Sequence, residues 1–387
     1  MEIKYFNSPE PEKFDASILP GERPLFLDYE PAWAEIEALA GKFDDKKNLL
    51  LIGHGGSVTS FQAMYYGLIE NSKKVVWSLS TIDPDYIGWL KTQLKPSDTV
   101  VVAVSKSGET VTQLEALMQF LDFPLVVVAE EGNPLWQIGE RLSATLFKHP
   151  AVGGRFTAFT ETGLVPAALC GLDIKAIFNA GRAIHKSFDK ENDAYKVASV
   201  LWQLEQKGYV DVFMPIYDYL LEMSKSLIVQ LCHESFGKDG KGQTILASMA
   251  PESQHHTNQR FFGGPKNMVG YFIGVDSSIN RLETHVPENL RDIVLKSETL
   301  EVLSGIPLDR ALDFEREATI EDAVAKNIPV ISHVLHQRNS ESIGEFIAFW
   351  QLLAVYSALM RSVNPFDQPQ VEASKKISFQ KRLDQKK

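Results

Sequence analysis

The chain has 387 residues, with 39 Lys and Arg against 50 Asp and Glu and a formal net charge of −11. That balance excludes a general nucleic-acid binder, because phosphate neutralisation needs clustered cations. Hydrophobic residues make up 44% and charged residues 23%, as in an ordinary globular protein without low-complexity tracts.

One hydrophobic core rarely serves a chain of this length, so two domains are expected. The opening "MEIKYFNSPEPEKFDAS" has no apolar core of a signal peptide, and no run of about 18 apolar residues suggests a membrane span. The expectation is a cytoplasmic protein with no membrane partner. The only markedly basic stretch, Lys375 to Lys387, reads as a solvated helix end. Cys170 and Cys232 stand alone in apolar contexts. They read as buried thiols and form neither a disulfide framework nor a zinc pattern.

Residues 1–45 read as a polar, Pro-bearing arm followed by an amphipathic helix over Ala32 to Phe43. "KNLLLIGHGGS" then gives a continuous apolar run ending in glycines, the pattern of a buried parallel strand entering a turn and a helix. The plan recurs at 73–81 ("KKVVWSLST"), 98–110 ("DTVVVAVSKSGET") and 123–131 ("FPLVVVAEE"). Helical stretches separate these runs at Ser57 to Ile69, Ile87 to Leu94 and Val111 to Leu121. Strands alternating with helices predict βαβ units and a mostly parallel sheet. Residues 191–362 repeat the plan less cleanly. Their strand candidates lie at 209–217, 242–250, 267–277 and 328–335, with helices near Leu220 to His233, Thr319 to Lys326 and Ile343 to Arg361. The expected organisation is an N-terminal arm and helix (1–45), two α/β sandwich domains (46–190 and 191–362) and a tail ending in a helix (363–387).

In open α/β sheets, ligands bind where strands end and helices begin. "GHGGS" (Gly53 to Ser57) lets backbone N–H groups approach an anion, but it lacks the Gly-Lys-Ser/Thr ending of a Walker loop. "SKSGET" places Ser105, Ser107 and Thr110 near one helix start, with Lys106 among them. Together the two turns favour a phosphate, and without a dinucleotide fingerprint a small phosphorylated ligand is the better reading. In "VGGRFTAFTETGLVP", Arg155 offers a guanidinium for an oxyanion or for substrate. In "CHESFGKDGKGQT", Glu234 sits where an apolar helix gives way to glycines, a setting that suits a general base. The His-Glu pair is not a zinc motif, because no second histidine follows at the required spacing. His333 and His336, three apart on a strand, point to opposite faces. "NPFDQPQVEASKK" brackets a turn with Pro365 and Pro369 and then starts a helix near Val371 that carries Lys375. The polar stretch "APESQHHTNQRFFGGPKNM" holds His255 and His256 between two apolar runs.

These stretches resemble a known family. "SKSGET" resembles the phosphosugar-binding turn of sugar isomerase (SIS) domains. "VGGRFTAFTETGLVP" and "NPFDQPQVEASK" are similar to the two signatures of glucose-6-phosphate isomerases. "HESFGK" and "SQHHTNQ…GGPKN" resemble further elements of their shorter bacterial members. The matches keep the family order from about Lys47 to Lys375. The resemblance implies two SIS-type α/β/α domains, no metal, no cofactor, and a homodimer with shared active sites that interconverts glucose 6-phosphate and fructose 6-phosphate. It assigns the phosphate to Ser105, Lys106, Ser107 and Thr110, and puts Gly56 and Ser57 near the sugar. Glu234 would be the base and Arg155 the stabiliser of the enediolate. His255 (delivered by the neighbouring subunit) and Lys375 would serve ring opening, Gln368 would contact substrate, and His256 would be supporting.

Three positions depart from the family pattern. Gln370 replaces a usual glycine, Phe236 a small or polar residue, and His54 an apolar residue. Phe236 and His54 are expected to narrow or reshape the sugar pocket. Two alternatives stay open. One is a dual phosphoglucose/phosphomannose isomerase, against which Gln368 argues. The other is a non-catalytic phosphosugar-binding SIS module, against which the joint presence of Glu234, His255 and Lys375 argues.

Overall fold

The computed structural model describes residues 1–385; the last two residues of the basic tail lie outside them. The strands are β1 (Glu2–Phe6), β2 (Asn48–Ile52), β3 (Val75–Leu79), β4 (Thr99–Ser105), β5 (Leu125–Ala129), β6 (Thr145–Lys148), β7 (Asp211–Tyr217), β8 (Thr244–Met249), β9 (Met268–Ser277), the small hairpin β10 (Val294–Leu295) and β11 (Glu298–Thr299), and β12 (Val330–Gln337). Two five-stranded sheets result, ordered β3-β2-β4-β5-β6 and β1-β12-β9-β7-β8. Every pairing in the first is parallel. In the second only β1 runs antiparallel, against β12. The mostly parallel α/β architecture expected from the alternating runs is the one observed.

The apolar runs are explained by burial on both faces. All of β4 and β5 is buried, so neither needs an alternating pattern. One face of the first sheet packs on the helices Pro84–Gln93, Val111–Leu117 and Pro134–Arg141. Its other face shares a continuous core with the second sheet. There Leu49 and Val102 join Ile216, Ile273 and Ile331 through a helical layer that includes Glu161–Leu169, Ile174–His185 and Ser340–Met360. The far face of the second sheet packs on Thr257–Gly263 and Leu308–Ala325.

Ser340–Met360 is long and apolar enough to cross a membrane by length and composition, which the sequence reading did not register. It is a core helix here, with 83% of its most apolar window buried. A helix that is apolar all round requires such a setting. Cys170 and Cys232 are both buried.

The N-terminal arm contains β1, whose five residues add to the edge of the second sheet. The predicted helix follows as Trp33–Lys42. The helix near Thr319 is longer than expected and spans Leu308–Ala325.

The strand order positions the site. The connections run outward in opposite directions from β2 and β4, which are hydrogen-bonded neighbours. This is a topological switch point, where the loops leaving two adjacent strands diverge and open a crevice. "GHGGS" leaves β2 there and "SKSGET" leaves β4.

Candidate active site

The turn after β4 is shaped by its own side chains. Ser105, 5% exposed, accepts the Gly108 N–H at 3.1 Å, and the Ser107 hydroxyl accepts the Glu109 N–H at 3.3 Å. Gly108 has φ +63°, a left-handed conformation that favours glycine. A Cβ there would also meet the Asn133 side chain at 2.2 Å. Asn133 in turn donates to the Lys106 carbonyl at 3.0 Å. Thr110 starts the helix Val111–Leu117 without using its hydroxyl as a cap, which leaves that hydroxyl for a ligand.

The turn after β2 meets the arginine loop backbone to backbone. A Cβ on Gly56 would lie 2.1 Å from the Gly154 carbonyl carbon and 2.3 Å from the Arg155 nitrogen. Only a residue without a side chain allows this approach, so Gly56 sets the distance between the two loops. Ser57, buried at 9% exposure, lies in the first turn of the helix Gly56–Gly67. Gly55, with φ +54°, leaves room for Gln230, whose amide nitrogen would be 2.8 Å from a Cβ placed there.

Arg155 is the centre of the arrangement. It is 1% exposed, and all five of its N–H groups find protein acceptors. Nε donates to the Ser235 hydroxyl at 2.9 Å. One terminal nitrogen donates to Glu234 Oε2 at 3.1 Å and to Gln368 Oε1 at 2.9 Å. The other donates to the carbonyls of Pro365 and Asp367. Burial pulls the guanidinium's pKa down, and the Glu234 carboxylate beside it opposes that pull. Arginine remains charged in such a site, so this is a buried, fully hydrogen-bonded cation.

Glu234 ends the helix Lys225–Phe236. Its carboxylate is about one-third exposed (32%), open to a ligand on one side. On the other side Gln230 donates to Oε1 at 3.0 Å, and Thr59 in turn donates to Gln230 at 3.0 Å. A chain of contacts thus runs from the β2 turn to the carboxylate and on through Arg155 to Gln368. Three segments far apart in sequence meet here.

Sequence reasoning missed Gln230, Ser235 and Lys238. Gln230 had a signal, since it lies four residues before Glu234 on one helical face. Ser235 and Lys238 lie inside the "HESFGK" stretch. Lys238, 7% exposed, donates to the Asn364 carbonyl and, at 2.6 Å each, to the carbonyl and a carboxylate oxygen of Asp367. It holds the Asp367 carboxyl below its ordinary pKa range.

The other two expected catalytic residues are not tied to this cluster. His255 ends a short 3-10 turn after β8; it is exposed, and no hydrogen bond joins it to another described residue. His256 is engaged locally, with its ring nitrogens 2.7 Å from Glu252 and 2.6 Å from Thr257. Lys375 lies on the helix Glu372–Asp384, which buries none of its residues. Its ammonium pairs with Glu372 at 2.7 Å. That helix is held from its far end, where Arg382 makes two 2.7 Å bonds to Glu115 on the helix that follows the β4 turn.

The expectation for Phe236 is corrected. It is 1% exposed, its ring lies 4.7 Å from the Arg361 guanidinium, and it faces the core rather than a pocket. An apolar ring suits that position because Arg361, also buried, is paired with Glu205 and needs a low-polarity neighbour. His54 is half-buried, with Nε2 3.3 Å from the Thr112 hydroxyl, and burial pulls its pKa down. Gln370 lines a cavity of about 600 Å³ with His233 and the 237–244 loop. Among the described residues no group of three or more His, Cys, Asp or Glu is arranged to hold a metal ion.

No protein-family model matches the chain. Comparison with solved structures defines the class. A structure described as a hypothetical protein from Thermus thermophilus superposes with a TM-score of 0.82 at 29% identity, covering 90% of this chain and 87% of the other. A glucose-6-phosphate isomerase from Chlamydia trachomatis superposes at 0.75 with 21% identity, covering 97% and 81%. The fold is that of the phosphosugar isomerases, with their sugar isomerase (SIS) modules.

Sequence comparison narrows this. A probable glucose-6-phosphate isomerase from Haloquadratum walsbyi is 29% identical over 375 residues, 93% of this chain and 85% of that protein. Within the class, the chain belongs to the glucose-6-phosphate isomerase family, as its motifs indicated.

Proposed function

We propose that the chain catalyses the reversible conversion of glucose 6-phosphate into fructose 6-phosphate, without metal or cofactor. The observation that carries this reading is the one-third-exposed Glu234 carboxylate, held between Gln230 and the buried Arg155 beside the two turns of the switch point. An aldose and a ketose differ by the position of one proton and one carbonyl, so a single base that can collect and return a proton suffices.

In this mechanism the phosphate sits at Ser105, Lys106, Ser107 and Thr110, and the sugar lies over Gly56 and Ser57. Glu234 removes the C2 proton of the open-chain aldose. Electrons from the C2–H bond form the C1–C2 double bond, and the carbonyl oxygen takes the charge of an enediolate. The protonated carboxyl then returns its proton to C1. Arg155 supplies a fixed positive charge near that oxygen, and preorganised charge in a dry site counts for more than in water. Its N–H groups are all engaged, so direct contact with the enediolate requires Gln368 or Glu234 to release one of them.

His255 and Lys375 serve ring opening. The exposed His255, with no hydrogen-bonding partner among the described residues of its own chain, supports a homodimer in which it completes the neighbouring site. A cytoplasmic location accords with a sugar phosphate substrate.

The test is a coupled assay of purified protein with fructose 6-phosphate, reading glucose 6-phosphate. Turnover by the wild type is expected. A folded protein that binds the sugar phosphate and turns nothing over would show a binding module instead. Mixing His255→Gln with Glu234→Gln protein tests the shared site. Hybrid dimers regain activity if His255 crosses between subunits, and stay inactive if each chain uses its own.

A further inference from the structure

We infer that Lys238 is a positioning residue, holding the Asn364–Asp367 turn so that Gln368 and Glu234 meet at one nitrogen of Arg155. The inference rests on the isomerase reading above. A buried ammonium is costly unless oxygens replace its water. Lys238 has a side chain only 6% exposed, and all three of its acceptors belong to one short turn: the carbonyls of Asn364 and Asp367 and the Asp367 carboxylate. Arg155 grips the same turn at the Pro365 and Asp367 carbonyls. The Asp367 carbonyl therefore accepts from both cations, and the turn is clamped between them.

The remaining sides of the turn are also closed. The Asn364 side chain accepts the Phe366 N–H at 2.9 Å, and the Phe366 ring lies edge-on to Phe156 at 5.5 Å. The next residue after the clamp is Gln368, whose Oε1 shares an Arg155 nitrogen with Glu234. Lys238 makes no hydrogen bond to Glu234 or Gln368 among the described contacts, so it acts through the turn and through Arg155. Losing it frees one side of the turn and lets Arg155, and with it the carboxylate, shift.

A displacement of about 1 Å in a catalytic group costs roughly 10²-fold in rate, whereas the Ser105–Thr110 turn is untouched. Lys238→Met is therefore expected to lower kcat about 10²-fold while KM stays within about threefold of wild type. The measurement is steady-state kinetics on variant and wild type, normalised to folded protein by circular dichroism. A merely structural lysine would lower the melting temperature and leave kcat of the folded fraction unchanged. That result overturns the inference while the isomerase reading stands. A wild type without turnover overturns both. If Lys238→Met does not fold, Asp367→Asn decides. It removes only the ionic contact at a half-exposed side chain, and a several-fold lower kcat at unchanged KM is expected. An unchanged kcat overturns the inference.

Discussion

Arg155 and Lys375 are both cations assigned to the candidate site, and the chain holds them in opposite ways. Arg155 is buried and bonds to protein acceptors contributed by two separate segments. Lys375 has a side chain 64% exposed and pairs only with Glu372 on its own helix. His255 resembles Lys375 in this respect, being exposed and without a described hydrogen bond. The difference follows the chemistry proposed for each. Proton transfer between two adjacent carbons tolerates little displacement, so Glu234 and Arg155 are fixed in advance. Ring opening needs groups that reach a bound sugar from outside, and such groups can come from mobile or neighbouring elements.

The largest effect should come from the fixed half. Glu234→Gln keeps the shape of the side chain and removes its basicity, and kcat should fall by roughly 10²–10⁴. Loss of less than tenfold would mean that another group is the base. Arg155→Lys should be nearly as severe. A lysine cannot reproduce five N–H contacts in a fork, and removing one preorganised donor alone costs roughly 10²–10³ in kcat. A lower melting temperature should accompany the loss, because the acceptors around the guanidinium must change partners.

The exposed half should behave differently. His255→Gln and Lys375→Ala should each lower kcat by roughly 10² while leaving the thermal midpoint unchanged within about 1 °C, since exposed positions contribute little to stability. Thermal melts beside the kinetics separate the two halves; a clear drop in midpoint for either would break the comparison.

The scaffold around the site has its own pH signature. Burial pushes His149 down to about 4 and His185 and His333 down to about 3. The folded state keeps these rings neutral, and the unfolded state takes up protons below about pH 6.5. Stability is therefore fully present above that pH and falls as pH drops toward 3 to 4, by about 1.4 kcal/mol per pH unit for each histidine. Denaturant midpoints measured from pH 7.5 to 4 should decline, and a flat profile would contradict the neutral buried rings. The smallest effect belongs to His54. His54→Ile should change kcat by less than about threefold and stability by under about 1 kcal/mol, since only a 3.3 Å contact to Thr112 is lost.

Much of this was legible in the sequence. The apolar runs that became β2, β4, β5, β7 and β9 were readable because a strand buried on both faces leaves an uninterrupted β-branched record. β6 left almost none, being four residues long, and β1 was masked by its charged alternation. The phosphate turn and Arg155 were visible because glycines and a cation in a strand-to-helix connection carry a chemical reason. Lys238 was not singled out, because a lysine in a glycine-rich loop reads as solvated. Its burial depends on the 364–367 turn, more than a hundred residues away. The misreading of Phe236 has the same origin. Its neighbour Arg361 is remote in sequence, and only packing shows which way the ring faces.

The central claim is proton transfer by Glu234 through an enediolate. The most direct measurement is incubation of the protein with fructose 6-phosphate in D₂O, followed by NMR of carbon-bound deuterium in the glucose 6-phosphate formed. The account predicts that deuterium accumulates at C2 over repeated turnovers, at a rate that collapses in Glu234→Gln. Interconversion without deuterium incorporation after many turnovers would contradict it and point to a direct hydride shift.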